Sequence, residues 1–202
     1  EALDNTTSVS TQEAAGYRGF ARTVIAHQLI MLVKSYGSAR VDVSDPTNPG
    51  PILAEADVLS QVSSILDGAL SDLTAAGDSF SFPLAGFDGF DTPSTFSKFN
   101  RAVKAVALVY SGNKTEALAA LSSSFFNLNG DLSVGPKHVF SLSAGDVVNG
   151  LYKIVDNNGD QIIVHNSFIA DAEPGDKRVE NKTILRLSLI HISEPTRHYP
   201  IS

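Results

Sequence analysis

The sequence has 202 residues, a net charge of −7 and a hydrophobic content of 43%. This length is sufficient for one hydrophobic core, or for part of a larger one. The acidic balance argues against nucleic acid as a partner and against electrostatic docking on an anionic membrane. Cysteine is absent, which excludes disulfides, thiolate catalysis and cysteine-based zinc sites. Because the chain starts at Glu1 without a methionine or a signal peptide, we expect a mature or truncated product.

A long helix is predicted from about Ser10 to Tyr36. Ser10 and Glu13 have the spacing of a capping box, and the glycine after Tyr36 is placed to end the helix. Gly16 and Gly19 are expected where another backbone approaches closely. The expected inner and flanking positions of this helix are Phe20, Val24, His27, Ile30, Met31 and Lys34.

A loop and a second helix follow. Ser38 to Pro51 contains three prolines and several Asp and Asn residues, which predicts a loop. The second helix is predicted from about Ala54 to Ala76, with Gly77 as its end. Its apolar side is expected to consist of Val58, Val62, Ile65, Leu66, Ala69, Leu70 and Leu73. Asp78 to Asp91 is rich in Phe, Gly and Asp, which predicts another loop.

Thr92 to Phe125 has the pattern of two helices joined by a tight turn. Thr92 is the expected cap of the first helix and Pro93 its first residue. The apolar face of this helix is predicted to be Phe96, Phe99, Val103, Val106 and Tyr110. Asn113 and Glu116 have capping-box spacing at the start of the second helix. Its inward residues are predicted to be Ala117, Leu118, Leu121 and Phe125, and the pair resembles a tetratricopeptide unit.

The pattern changes after Phe125. Residues 127–135 predict turns, and a short helix is predicted at Ser167–Glu173 before a polar, irregular stretch at 176–184. Short strands are predicted at 139–142, 151–155 and 161–164, the last two joined by a hairpin turn at 156–159. The predicted fold class is therefore mainly α. Tetratricopeptide-like helix pairs occupy about 10–126, and an irregular region with short strands occupies 127–186.

The last sixteen residues have a different origin in our interpretation. Leu187 to Arg197, LSLIHISEPTR, resembles residue for residue the translation of a transposase adapter used in DNA sequencing libraries. His198 to Ser202 fits a sample index and the primer after it. We interpret 187–202 as a non-native tail, so that the natural chain would be interrupted near Arg186; a natural tail is the alternative.

Five blocks in order carry a resemblance to a known family. They are RGFARTVIAHQLIMLVKSYG, VLSQVSSILDGALSDLTAAG, FDGFDTPSTFSKFNRAVKAVALVYSGNKTEALAAL, HVFSLSAGDVVNGLY and IVHNSFIADAEPGDKRVENK. This order resembles the SusD/RagB family of outer-membrane glycan-binding lipoproteins over about Gly16 to Lys182. The resemblance implies a partial domain over 1–186, with a scaffold of tetratricopeptide-like helix pairs and an irregular region that binds ligand.

The resemblance also implies a function. The protein would be a non-catalytic, surface-exposed lipoprotein of the cell outer membrane that captures oligosaccharide or polysaccharide. It would deliver this ligand to a SusC-like TonB-dependent transporter and would contact the membrane only through a lipid anchor. No cofactor is implied. The chain departs from the family pattern in having no tryptophan and no lipid-bearing cysteine.

The stretch from Phe80 to Asp91, FSFPLAGFDGFD, is the candidate ligand-binding segment, with Phe87, Asp88, Phe90 and Asp91 as its contacts. Phenylalanine rings present apolar faces to sugar C–H groups, and aspartates accept hydrogen bonds from sugar hydroxyls. The alternative is that the rings plug helix ends and the aspartates serve turns and caps. The same aspartates match no standard calcium-loop spacing, so no metal is expected.

Two other functions remain open. One is a tetratricopeptide-like scaffold that binds a protein or a peptide, and the other is a fragment of a helical hydrolase. The family resemblance implies a protein that is not an enzyme. The sequence has no Gly-x-Ser-x-Gly elbow, but its many serines and aspartates leave a Ser-His-Asp triad open. His138 and His165 are isolated, without the paired spacing of metal ligands.

Overall fold

A computed structural model of the chain describes residues 3, 6–84, 86–131, 133–137, 140, 148–150 and 164–183. Helices hold 55% of these residues and strands 4%, so the predicted mainly helical class is confirmed. The chain divides into two compact units, Glu1–Val139 and Phe140–Ser202. None of the helices in the described ranges combines the length and the apolar character needed to cross a membrane.

In its described residues, the first unit contains four helices and a two-stranded sheet. In chain order these are α1 (Thr11–Tyr36), β1 (Ser38–Arg40), β2 (Ile52–Ala54), α2 (Glu55–Ala75), α3 (Pro93–Tyr110) and α4 (Lys114–Ser122). Each helix packs against the next along the chain, and α1 also contacts α3. α1 and α2 are antiparallel, because β1 and β2 join the end of α1 to the start of α2, whereas Gly19 early in α1 lies against Leu73 late in α2.

The predicted starts of α1 and α3 are confirmed. Ser10 Oγ accepts the Glu13 N–H at 3.2 Å, and Glu13 Oε2 accepts the Ser10 N–H at 2.7 Å. Gly37 follows α1 with a φ of 70°, a left-handed conformation that favours glycine. Thr92 caps α3 through an equivalent reciprocal pair with Thr95. These caps satisfy backbone N–H groups that have no partner inside the helix.

The predicted loop at 38–51 is wrong at its start, because its first three residues form a strand of a small sheet. Ser38 pairs with Ala54, and Arg40 pairs with Ile52, in antiparallel register. The prolines and glycine lie in the connection between the two strands, as the loop prediction required. Strands of three residues are too short to show an alternating pattern, so their pairing is decided by the helices that bring the two ends together.

The small side chains of α1 form its contact with α2. A Cβ at Gly19 would lie 2.8 Å from Leu73 Cγ and 3.0 Å from the Leu73 backbone nitrogen, which confirms the expected close approach. The buried residues of α1 are Ala14, Ala15, Gly16, Gly19, Thr23, Ala26, Leu29, Ile30 and Val33. Of the positions predicted to be inner or flanking, Ile30 is buried, and Met31 and Lys34 are exposed. The other three, Phe20, Val24 and His27, are partly buried, as flanking positions are. Phe20 and His27 of α1 lie instead against Phe96 and Phe99 of α3.

The apolar side of α2 is predicted well, and its residues join the main core. This core cluster consists of Ala26, Leu29, Ile30, Val33, Ala39, Val58, Leu59, Val62, Leu66, Val103 and Ala107. A second, smaller cluster between α3 and α4 consists of Ala105, Leu108, Ala117 and Ala120. α3 thus contributes buried residues to both clusters, because α1, α2 and α4 all contact it.

Several predictions for α3 and α4 are corrected. Phe96 and Val103 are buried as predicted, but Val106 and Tyr110 are exposed, because the buried surface of α3 turns towards α2 and α4. Leu118 is 68% exposed and does not face inward. The capping box predicted at Asn113 is also wrong. Its side chain makes no cap hydrogen bond, and its φ of −88° and ψ of 67° do not have the extended geometry of a side-chain cap.

The second unit contains α5 (Asn166–Ala170) and α6 (Lys177–Lys182). α5 confirms the predicted short helix, whereas α6 replaces a stretch predicted to be irregular. Asp176 caps α6 by accepting the Arg178 N–H at 2.9 Å, a local interaction that apolar periodicity does not report. The strands predicted at 139–142, 151–155 and 161–164 lie almost wholly outside the described residues. The turn at 156–159 and the tail at 187–202 lie entirely outside them.

Candidate functional site

Rings from α1, the 78–91 loop and α3 form one group, which we call the aromatic cluster. Its members are Tyr17, Phe20, Phe80, Phe82, Phe87, Phe96 and Phe99. Phe96 is fully buried, and the ring centroids of Phe20 and Phe87 lie 5.2 and 5.5 Å from it. Separations of this size suit favourable aromatic pairs. The cluster therefore holds the loop against the N-terminal halves of α1 and α3.

One edge of the aromatic cluster reaches solvent. Tyr17 and Phe82 stack with their ring centroids 4.6 Å apart and their planes 20° apart. Both side chains are half-buried, as is Phe80. The pair thus gives the loop a partly open apolar surface at the end of the helices.

The four predicted ligand contacts take different positions. Phe87 is half-buried within the aromatic cluster, whereas Phe90 is 6% exposed and packs edge-to-face against Phe125 at 5.0 Å. Phe90 therefore offers little surface to a ligand. Asp88 and Asp91 are exposed. Ligand contact by these four residues stays a prediction.

The turn interpretation of this loop has a local basis. The Phe90 N–H donates to the Phe87 carbonyl at 2.7 Å, and Gly89 has a φ of 79°. Asp88 and Gly89 are therefore the two central residues of a β-turn. Asp91 directly precedes Thr92, the cap of α3.

A buried polar network joins α1, α2 and α3 beneath the surface. Asn100 is fully buried, and its Nδ2 donates to Thr23 Oγ1 at 2.9 Å and to the Leu66 carbonyl at 3.2 Å. Its Oδ1 accepts from Arg101 Nε at 2.9 Å, and Thr23 Oγ1 donates to the Gly19 carbonyl at 2.8 Å. Within the described residues, no buried side-chain nitrogen or oxygen lacks a hydrogen-bond partner. The network is therefore fully satisfied and serves the packing of three helices.

Asp67 connects this network to two cations of α3. Lys104 Nζ lies 2.5 Å from Asp67 Oδ2, and Arg101 Nη1 lies 3.0 Å from Oδ1. Partial burial raises the pKa of Asp67, but the hydrogen bonds and charges of Lys104 and Arg101 outweigh it and hold the pKa below its ordinary 3.8. The carboxylate is therefore ionised near neutral pH and neutralises part of the basic charge on α3.

A cavity of about 890 Å³ lies between α2 and the α3–α4 turn, and we call it the serine groove. Its polar or aromatic lining includes Glu55, Ser60, Ser63, Tyr110, Asn113 and Glu116. A shallower cavity of about 480 Å³ continues from it and shares Leu108 and Glu116 with it. Cavities of this size hold small-molecule ligands in many proteins.

The serine groove has no counterpart among the sites predicted from the sequence. The one local signal was the spacing of Ser60, Ser63 and Ser64, which places three hydroxyl groups on one side of α2. Tyr110 was assigned to an inner face, and Asn113 and Glu116 were assigned to a cap. The groove arises because α4 folds back beside α3. The local sequence pattern does not show where this helix pair lies relative to α2.

Metal binding has no geometric support in the part of the chain that the structure describes. No group of three or more His, Asp or Glu side chains there is arranged to hold an ion. No family model, curated protein or solved structure matches the chain. Function is therefore inferred from the chemistry of these residues and from the family resemblance.

Proposed function

We propose that this protein binds oligosaccharide or polysaccharide without cleaving it, through the open edge of the aromatic cluster. The observation that supports this proposal most directly is the stacked pair of Tyr17 and Phe82, which is half-buried and continuous with a rigid aromatic base. Sugar rings carry apolar C–H faces that pack on aromatic faces. A preformed ring surface binds them with little loss of side-chain entropy.

The carboxylates of the loop supply polar contacts in this proposal. Asp88 and Asp91 are exposed, so their oxygens are open to hydroxyl donors of a sugar. Hydrogen bonds to a charged acceptor are stronger than neutral ones and fix the orientation of a ligand. Phe87 contributes mainly by holding the loop in place.

The biological setting rests on the family resemblance alone. We propose a surface-exposed lipoprotein of the outer membrane that passes its glycan to a SusC-like TonB-dependent transporter. In the same proposal α1 with α2, and α3 with α4, are tetratricopeptide-like pairs. The antiparallel packing of α1 on α2 and the short connection between α3 and α4 support this pairing. The pairs would act as a scaffold for the loop.

Affinity gel electrophoresis tests the binding proposal. The full chain is run through native gels that contain starch, xylan, pectin or arabinogalactan, and retardation measures affinity. We expect at least one polysaccharide to retard the chain. We expect Phe82→Leu, which keeps apolar bulk but removes the ring, to weaken binding roughly tenfold, the effect of about 1.4 kcal/mol.

Phe126→Leu is the matched control, because Phe126 is an exposed ring outside the aromatic cluster. It should leave retardation unchanged. A chain that none of the four polysaccharides retards, or equal losses in the two variants, would contradict the proposal. Release of reducing sugar that disappears on changing one carboxylate would favour a hydrolase instead.

A protein-interaction scaffold is the second candidate, and an exposed row on α1 favours it. Ile25, Leu32 and Tyr36 are exposed, and their spacing places them on one side of the helix. Exposed apolar rows of this kind are typical of protein contact surfaces. Replacing Ile25 and Leu32 together with Ser should abolish capture of a peptide or protein partner and leave glycan retardation intact.

A further inference from the structure

We infer that the serine groove is a second binding site, for a neutral saccharide. The inference rests on the proposed function for the class of its ligand, a saccharide. The site itself is a different one. Tyr110, at the groove, and Phe96, at the centre of the aromatic cluster, are fourteen positions apart on α3, which is roughly 21 Å along a helix. The two surfaces therefore act as separate sites.

The groove presents polar side chains that are free to bind a ligand. Within the described residues, the carboxylates of Glu55 and Glu116, the hydroxyls of Ser60 and Ser63 and the amide of Asn113 take part in no hydrogen bond or ion pair. Carboxylates accept, amides donate and accept, and hydroxyls do both. This mixture matches the dense, alternating donors and acceptors of a sugar.

Tyr110 adds an aromatic ring to the groove. Lys34 Nζ lies 5.3 Å from the centre of the Tyr110 ring, close enough for a cation–π contact. The ring remains 44% exposed and lines the groove. A partly exposed ring in a groove is suited to pack against the C–H face of a sugar.

The same lining argues against other ligands. Glu55 and Glu116 repel an anion such as a phosphate. Leu59 and Leu108 line the groove, but they are 1% and 3% exposed. The groove therefore lacks the open apolar pockets that anchor the side chains of a bound peptide or helix. A neutral, hydroxyl-rich ligand satisfies the free polar groups without either difficulty.

The test is a nuclear magnetic resonance titration of the full chain with neutral hexasaccharides: maltohexaose, cellohexaose and xylohexaose. Amide shifts of Ser60, Ser63 and Asn113 report the groove, and those of Phe82 and Asp88 report the aromatic loop. We expect at least one saccharide to move the groove amides in a saturable way. Tyr110→Leu and Glu116→Gln should each weaken that response roughly five- to tenfold.

Glu173→Gln is the control, because Glu173 is an exposed glutamate outside the groove. It should change neither response. Movement of the loop amides alone would overturn the inference and leave the proposed function standing, whereas movement of the groove amides alone would support the inference. If neither set of amides moves, the inference is overturned, and the result also counts against the proposed function. Groove amides that respond to a hexapeptide library, but not to the saccharides, would overturn the ligand class.

Discussion

The strongest prediction about stability concerns Asn100, because its one buried amide group joins three helices. Replacing it with Ala removes the donor to Thr23 Oγ1 and to the Leu66 carbonyl, and the acceptor of the Arg101 guanidinium. Asn100 is fully buried, so water cannot take over these bonds without entering the core. We therefore expect Asn100→Ala to lower the free energy of unfolding.

The expected loss is about 3 kcal/mol. Each neutral hydrogen bond contributes about 1 kcal/mol, and a bond to a charged group contributes somewhat more. The loss stays below the largest values for buried polar deletions for two reasons. Arg101 keeps its bonds to the Leu66 carbonyl and to Asp67. Thr23 keeps its bond to the Gly19 carbonyl.

Urea unfolding followed by far-ultraviolet circular dichroism measures this loss, provided that the slope with denaturant is unchanged. Asn48→Ala is the control, because Asn48 is exposed in the connection between β1 and β2, and it should change stability by less than about 0.5 kcal/mol. In a Thr23→Val background, Asn100→Ala should cost about 1 kcal/mol less, since their shared bond is already gone.

Two results would refute this reasoning. One is a loss below about 1 kcal/mol for Asn100→Ala, which would mean that the network contributes little beyond its own desolvation. The other is strict additivity with Thr23→Val, which would mean that the two side chains do not interact in solution.

Two further predictions concern the α1–α2 and α2–α3 contacts. Gly19→Ala should destabilise the fold by about 1–3 kcal/mol, because the new methyl group would overlap Leu73; a neutral effect in urea unfolding would show that α2 moves away freely. Asp67 has a pKa below 3.8 when folded, so its contribution is present above that ordinary value and is lost as the pH falls through the lower folded pKa. In urea unfolding, the free energy of unfolding of the native chain should exceed that of Asp67→Asn by a constant amount above about pH 5, and this advantage should shrink below pH 3.8. It should stay under about 1 kcal/mol, because the Asp67 side chain is 57% exposed. An advantage that grew at low pH would contradict the assignment.

Local interactions made the starts of α1 and α3 predictable. The Ser10–Glu13 and Thr92–Thr95 caps lie within three residues, so a short pattern defines where each helix begins. The apolar side of α2 was also predictable. Its buried residues keep one helical spacing, because its main neighbours, α1 and α3, cover a continuous side.

The faces of the other helices depended on their neighbours. α3 contacts three helices, so its buried residues do not form a single apolar stripe. The polar Asn100, which lies outside the predicted apolar face, is buried. Short elements such as β1 and α6 were missed for a related reason. The pairing of β1 and the side-chain cap of α6 leave no periodic pattern of apolar residues in the sequence.

The sequence by itself determined a mainly helical chain, the starts of α1 and α3, and a loop of Phe, Gly and Asp residues that marks a candidate site. Only the tertiary structure decided that Phe90 is buried, that Tyr17 joins Phe82, and that free polar groups from α2 and α4 line the serine groove. The physical reason is the distance along the chain between the residues that interact. Caps and turns form between close neighbours in the chain, whereas a site forms where residues far apart in sequence are brought together by packing.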